Sequence, residues 1–99
     1  MNICEIFKKE IKKFIEYLNP SKKAKIIATT GFWKHPADNA MTEFAEENNI
    51  PLVYLGDLGE DDNMKAIGKF EHDGVANHPG DLGMEHIANR IYEKLKDLI

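Results

Sequence analysis

The sequence predicts an α/β fold in the order helix, strand, helix, strand, long loop, helix. Apolar residues recur every three or four positions in three segments, as they do along one face of a helix. Between these segments lie two short runs, residues 25–30 and 51–55, that are apolar on both faces and are each followed by a glycine. Such runs are typical of buried parallel strands. A strand–helix–strand order then indicates a parallel crossover connection.

The three helices are defined by their apolar positions and by the residues that flank them. The first covers residues 2–18 and ends before Pro20, because proline cannot continue a helix. The second covers residues 36–48, and the last covers residues 82–99 with Asp81 as the expected N-cap. The positions that we assign to the inward faces are Ile3, Ile6, Phe7, Ile11, Phe14, Ile15 and Leu18, then Ala40, Met41, Phe44 and Ala45, then Met84, Ile87, Ala88, Ile91, Leu95 and Leu98.

Composition narrows the class of protein. The chain has 99 residues, a formal net charge of -4 and 42% hydrophobic residues, which predicts one globular domain and gives no electrostatic reason to bind nucleic acid. It has no apolar run of about 20 residues that would span a membrane, and its beginning lacks the pattern of a signal peptide. One cysteine and four histidines without i, i+4 spacing predict no disulfide, no metal site and no cofactor. We therefore expect a cytoplasmic domain.

The segment between the second strand and the last helix, residues 56–82, is predicted to be a long irregular loop with one helical turn at residues 64–67. Long loops in small domains are often functional. Its end reads His78-Pro79-Gly80-Asp81-Leu82-Gly83-Met84, which places a histidine on a Gly/Pro loop just before a helix. With a carboxylate nearby, such a histidine can act as a general base. The alternative is a histidine that only packs or faces solvent.

This segment resembles the last sequence block of the SGNH, or GDSL-type, hydrolases. That block reads Asp-x-x-His-Pro, then Asn or Gly, Asp, a variable residue, Gly and often Met, and an amphipathic helix follows it. The resemblance covers nearly the whole chain but only about half of a family domain. It implies a three-layer, flavodoxin-like parallel sheet, of which this chain would be a truncated α-β-α-β-α portion. It also implies hydrolysis of small-molecule esters, often acyl groups on carbohydrates or lipids.

The resemblance assigns roles to four residues. His78 would be the catalytic base. The family's aspartate lies three residues before the histidine, where this chain has Val75, so Asp73 would serve only if a two-residue insertion lets it reach the imidazole. Otherwise a backbone carbonyl holds His78 and Asp73 faces solvent. Phe32 and Trp33, which follow the first strand, either line the substrate cleft or pack beneath the loop.

Other parts of the family pattern are missing. The one serine, Ser21, lies in Asn-Pro-Ser-Lys and not in a Gly-Asp-Ser block, so we expect it to belong to a turn. A Gly-x-Asn-Asp block is also missing. The nucleophile would therefore come from outside this chain, which we expect to be inactive alone. The alternative is a small non-catalytic α/β domain that binds a ligand or forms a homo-oligomer, because the strand at residues 25–30 would have an open edge.

Overall fold

The computed structural model describes residues 2–69 and 71–99. It has four α-helices and two β-strands in these residues, and two short 3-10 turns lie in the long loop. The elements are α1 (Ile3–Leu18), β1 (Ala28–Thr29), α2 (Asp38–Glu47), β2 (Leu52–Val53), α3 (Asp73–Ala76) and α4 (Asp81–Leu95), with the 3-10 turns at Leu58–Glu60 and Asp62–Met64. The chain is therefore a mixed α/β structure, and its main elements occur in the predicted order.

The sheet consists of β1 and β2, which pair in parallel with Ala28 opposite Leu52 and Thr29 opposite Val53. The parallel crossover is confirmed, but both strands are shorter than the predicted runs. Within the described chain, each strand has only the other as a neighbour. Just after the paired residues, the Thr30 hydroxyl accepts a hydrogen bond of 2.8 Å from the Leu55 amide. This bond holds the segments that follow β1 and β2 together.

The hydrophobic core lies around β2 and the loop that follows it. Its buried members are Phe32, Val53, Leu55, Leu58 and Met64, and Ile27, Ile87 and Ile91 pack against them. Helix α2 also buries Ala40, Phe44 and Ala45, as predicted, while Met41 is half-buried. The core thus places the loop after β2 and the helix α4 next to each other.

Helix α4 begins one residue earlier than predicted, and its N-cap is different. The residue before the helix is Gly80, with no capping side chain, while Asp81 is the first helical residue. The prediction that Asp81 caps the helix is therefore wrong, although a carboxylate in the first turn still interacts favourably with the helix dipole. Met84 and Leu95, predicted to face inward, are exposed, because the helix meets the core only through the face that carries Ile87 and Ile91.

Helix α1 differs most from its prediction, since none of its residues is buried. Phe7, Ile11 and Ile15 are half-buried, whereas other apolar positions of the predicted inward face are exposed. A contact to α2 is made by the Lys8 ammonium, which lies 2.8 Å from a Glu43 carboxylate oxygen and 2.9 Å from a Glu47 oxygen.

The loop between β2 and α4 contains more structure than predicted. The helical turn predicted at residues 64–67 is not observed, because the 3-10 turn Asp62–Met64 ends where it should begin and Lys65 pairs with Pro79 in an isolated bridge. Helix α3 adds a short helix before His78. In the part of the chain that the structure describes, no helix combines the length and apolarity needed to cross a membrane.

Candidate functional site

The loop that carries His78 is held against the core by its backbone. The Ala66 amide donates to the His78 carbonyl at 2.9 Å, and the Gly80 amide donates to the Met64 carbonyl at 2.9 Å. A side chain at Gly80 would not fit, because its Cβ would lie 2.8 Å from the Lys65 carbonyl oxygen. Since Met64 and Ala66 are buried, these bonds fix the loop at a defined position on the core.

The imidazole of His78 is oriented by a backbone carbonyl. Its Nδ1 lies 2.5 Å from the carbonyl oxygen of Gly74 in α3. A carbonyl oxygen can only accept a hydrogen bond, so this contact requires a proton on Nδ1, and in the neutral ring the lone pair is then on Nε2. No described residue hydrogen-bonds Nε2. In the neutral ring this is the tautomer that a general base needs.

The short helix α3 is held in place by a second histidine. The Nδ1 of His72 accepts a hydrogen bond of 3.1 Å from the Gly74 amide, which caps the helix. The peptide unit on one side of Gly74 thus contacts His72, and the unit on the other side contacts His78. His72 has a structural explanation that needs no catalytic role.

Trp33 connects the end of β1 with the histidine loop. Its ring lies edge-to-face against His78, with centroids 5.0 Å apart and planes at 88°. Its indole Nε1 donates a hydrogen bond of 3.1 Å to the carbonyl of Asn77, the residue before the histidine. The structure therefore brings together two of the predicted site residues, which are 45 positions apart in the sequence.

Phe32 has a different environment from its neighbour. It is buried in the core, and its ring lies edge-to-face against Trp33 at a centroid distance of 5.6 Å. Of the two alternatives for this pair, Phe32 corresponds to packing beneath the loop, whereas Trp33 is 44% exposed. Contact between Trp33 and a substrate stays a prediction.

Asp73 does not touch the imidazole through its carboxylate. It is the exposed first residue of α3, and its backbone carbonyl accepts a hydrogen bond of 3.0 Å from the side-chain amide of Asn77. No described residue hydrogen-bonds its carboxylate. The geometry corresponds to the alternative in which a backbone carbonyl holds His78 and Asp73 faces solvent, so a catalytic role for Asp73 stays a prediction.

An open groove lies beside Trp33. It has a volume of about 330 Å³, and its lining includes Phe7 of α1, Thr30 and Gly31 after β1, and Met41 of α2. Trp33 lines this groove and also contacts His78.

Ser21 belongs to an exposed turn after α1, as predicted.

The acidic residue Asp57, in the Gly-Asp-Leu segment after β2, forms a structural ion pair with Arg90 of α4. Its two carboxylate oxygens accept hydrogen bonds of 2.6 and 2.8 Å from the Arg90 guanidinium, which also donates to the Tyr54 carbonyl at 2.9 Å. These hydrogen bonds lower the pKa of Asp57 and raise the pKa of Arg90. This ion pair attaches α4 to the end of β2.

Metal ligation has no support in the described residues. Across 2–69 and 71–99, no group of three His, Cys, Asp or Glu side chains is placed to hold a metal ion.

Two residues of the site, Gly74 and Asn77, were not predicted from the sequence. Both contribute a backbone carbonyl, one to His78 and one to Trp33. Every residue has such a carbonyl, so the amino-acid type carries no signal for this function. One sequence feature did point to helix α3: His72 lies two residues before Gly74, the spacing at which an N-cap side chain accepts a hydrogen bond from a backbone amide.

Comparison with known protein families, curated proteins and solved structures found no match to this chain.

Proposed function

We propose that this chain is the base-supplying part of a serine ester hydrolase of the SGNH type, with a small-molecule ester as substrate. Its two strands would then belong to a larger three-layer, flavodoxin-like sheet. The observation that supports the proposal best is the orientation of His78, whose Nδ1 is hydrogen-bonded to the Gly74 carbonyl. The motif around His78 supports it independently.

The proposed chemistry uses Nε2 of His78. His78 Nε2 takes the proton of a serine hydroxyl while the serine oxygen attacks the ester carbonyl carbon. The imidazolium then gives this proton to the departing alcohol, which leaves an acyl-enzyme. Water attacks the acyl-enzyme in a second round of the same proton transfer and releases the acid. During both rounds, the Gly74 carbonyl stabilises the Nδ1–H of the imidazolium.

The serine and the oxyanion donors would come from a segment outside these residues. Such a site needs nucleophile, base and oxyanion donors in one place, and the chain offers only the base. Ser21 is not a substitute, because it lies in an exposed turn without the surrounding block. We therefore expect the isolated chain to show no serine-dependent ester turnover. The exposed Trp33 ring and its groove would contact the acyl group or the alcohol.

The proposal is tested first on the isolated chain. Nitrogen-15 NMR of the imidazoles at neutral pH reports which ring nitrogen of each histidine carries the proton. We expect His78 to carry it on Nδ1 and His72 on Nε2, because the His72 Nδ1 accepts from the Gly74 amide. A His78 ring protonated on Nε2 would remove the main support for the proposal.

The second test restores the missing half by fusing or adding a segment with Gly-Asp-Ser and Gly-x-Asn-Asp blocks. Hydrolysis of an activated acetate ester is then measured together with melting temperature. His78→Ala should lower turnover on the order of several thousandfold with little change in melting temperature. Asp73→Asn should have a smaller effect on turnover.

The matched control for this test is His72→Ala. Loss of a helix cap should lower stability by about 1 kcal/mol while turnover stays within a few-fold. If His72→Ala abolishes activity and His78→Ala retains it, the base is the other histidine. If a fluorophosphonate probe labels Ser21 in the isolated chain and Ser21→Ala removes turnover, the serine does not come from outside.

A further inference from the structure

The bond that caps α3 depends on the protonation state of His72. The Gly74 amide donates to the Nδ1 of His72 at 3.1 Å, so this ring nitrogen must carry a lone pair. A protonated imidazole has a proton on both ring nitrogens and accepts no hydrogen bond. His72 therefore caps the helix only while its ring is neutral.

His78, the other histidine that contacts Gly74, responds to acid in the opposite way. Its Nδ1 donates to the Gly74 carbonyl, and this nitrogen carries a proton in both the observed neutral tautomer and the protonated ring. Protonation of His78 therefore leaves its bond to α3 in place. Of the two histidines, only His72 loses its bond to Gly74 when the pH falls.

Helix α3 has little besides this cap to hold it closed. It contains four residues, about one helical turn, of which Ala76 is buried. So short a helix is marginal by itself, because its few hydrogen bonds hardly repay the ordering of the first turn. A positive charge on His72 would also face the positive end of the helix dipole. Loss of the cap should thus have a measurable effect on α3.

A similar bond before α2 shows what distinguishes α3. The Ala37 amide donates to the Nδ1 of His35 at 3.0 Å, so acid breaks this bond as well. Helix α2, however, has ten residues and buries Ala40, Phe44 and Ala45. Its packing holds it in place without the histidine, whereas α3 lacks comparable packing.

The charged neighbours of His72 leave the capping bond as the interaction that protonation changes. Within two positions along the chain they are Glu71 and Asp73, both exposed, and neither of these two described side chains forms an ion pair with the His72 ring. The side chains that contact α3 and its C-cap from outside are Trp33, which is uncharged, and His78, whose bond survives protonation.

We infer that α3 is a pH-sensitive element that orients His78 only while His72 is neutral. As the pH falls through the range in which histidines titrate, ordinarily near about 6.5, the proton taken up by His72 displaces the Gly74 amide. The open helix binds this proton without losing a bond, so acid favours the open form. The Gly74 carbonyl is then no longer fixed at His78.

The opening of α3 depends on hydrogen bonds alone, whereas any effect on ester hydrolysis rests on the proposed function. The conformation of α3 can be measured in the isolated chain, without a serine or an ester. A failure of this measurement to show opening would leave the role of His78 as a base untouched, and a failure of the hydrolysis test would leave the opening of α3 untouched.

The test is NMR of the full chain between about pH 8 and about pH 5, which spans the titration of histidine. Imidazole shifts report the protonation of His72, and backbone carbon shifts of residues 73–76 report the helix. We expect the equilibrium constant for closing α3 to fall on the order of tenfold, with the same midpoint as the His72 ring. The carbon shifts of α4 should stay helical, which shows that the chain remains folded.

His72→Asn is the decisive variant, because asparagine is a strong N-cap whose side chain does not titrate. It should keep α3 closed at both ends of the pH range. His35→Asn is the matched control, since it replaces the other histidine that accepts from a backbone amide, and it should leave the pH response of α3 as in the wild type. In His72→Ala, α3 should be weaker at every pH and insensitive to acid.

Any of four results would overturn the proposal. A neutral His72 ring with its proton on Nδ1 could not accept from the Gly74 amide. A His72 ring that titrates while the shifts of residues 73–76 stay constant would show that the cap does not control the helix. A pH response of α3 that persists in His72→Asn would have another origin. A loss of α3 that coincides with the loss of α4 would be acid unfolding of the whole chain.

Discussion

Helices α1 and α4 look alike in the sequence and differ in the structure. They have 16 and 15 residues, and both repeat apolar side chains at helical spacing. Helix α4 packs on the core with Ile87 and Ile91 and buries Gly83, whereas α1 buries no residue. An amphipathic pattern therefore predicted both helices but not which of them would be packed.

The two helices differ in how closely their backbones approach the rest of the chain. The Gly83 backbone lies so close to Met64 that a Cβ there would collide with its carbonyl oxygen, and Arg90 adds a two-pronged ion pair to Asp57. Helix α1 has no glycine and meets α2 partly through the long Lys8 side chain. Helical spacing decides which residues share a face, while close approach of backbones decides whether that face is buried.

The substitution that we expect to weaken the packing of α4 most is Gly83→Ala. Alanine favours an isolated helix by about 1 kcal/mol over glycine, so propensity alone predicts stabilisation. We expect the opposite, a loss of about 2–3 kcal/mol in the free energy of unfolding, because the new methyl group overlaps the Met64 carbonyl. Urea unfolding measures this change. A stabilised Gly83→Ala chain would show that the backbones can separate without cost.

The next comparison truncates one side chain in each helix. Ile91→Ala should lower the free energy of unfolding by about 2 kcal/mol, since Ile91 packs on the core but is only half-buried. Phe14→Ala should change it by less than about 0.5 kcal/mol at concentrations where the chain is monomeric, because Phe14 is exposed. Equal losses in dilute solution would mean that α1 is packed within a single chain.

The smallest effect concerns the ion pair of α4. Arg90 lowers the pKa of Asp57, so the pair stabilises the folded chain above the unfolded pKa of about 4, and this contribution is lost as pH falls through the lower folded pKa. Both side chains are partly exposed, at 34% and 51%, so Arg90→Gln should cost only about 0.5–1 kcal/mol at pH 7.

Thermal unfolding of wild type and Arg90→Gln between pH 2 and pH 7 checks this expectation, and the difference between them should shrink below about pH 4. Lys8→Gln is the counterpart in α1. Its partners Glu43 and Glu47 raise the pKa of Lys8, and both carboxylates are well exposed, so we expect a small effect that weakens in high salt. A pH-independent loss in Arg90→Gln would point to packing instead of charge.

The sequence pattern predicted the α/β order, the parallel pairing of two strands, the buried face of α2 and the position of His78 before the last helix. These features depend on local spacing and on turn residues, which the chain carries wherever it packs. The turn around Ser21 was predictable for the same reason. The expected N-cap at Asp81 was wrong because Gly80, which must approach Lys65, occupies the capping position.

The assembly of the site depends on contacts between residues that are distant in the sequence. The contact of Trp33 with His78, the bond from His78 to the Gly74 carbonyl and the pairing of Arg90 with Asp57 join residues through the fold. The acceptors at Gly74 and Asn77 are backbone carbonyls, which every residue type possesses. The lengths of β1 and β2 and the exposure of α1 also depend on which neighbours are present. The type of a residue determines which hydrogen bonds and contacts it can make, whereas the fold determines which groups lie beside it.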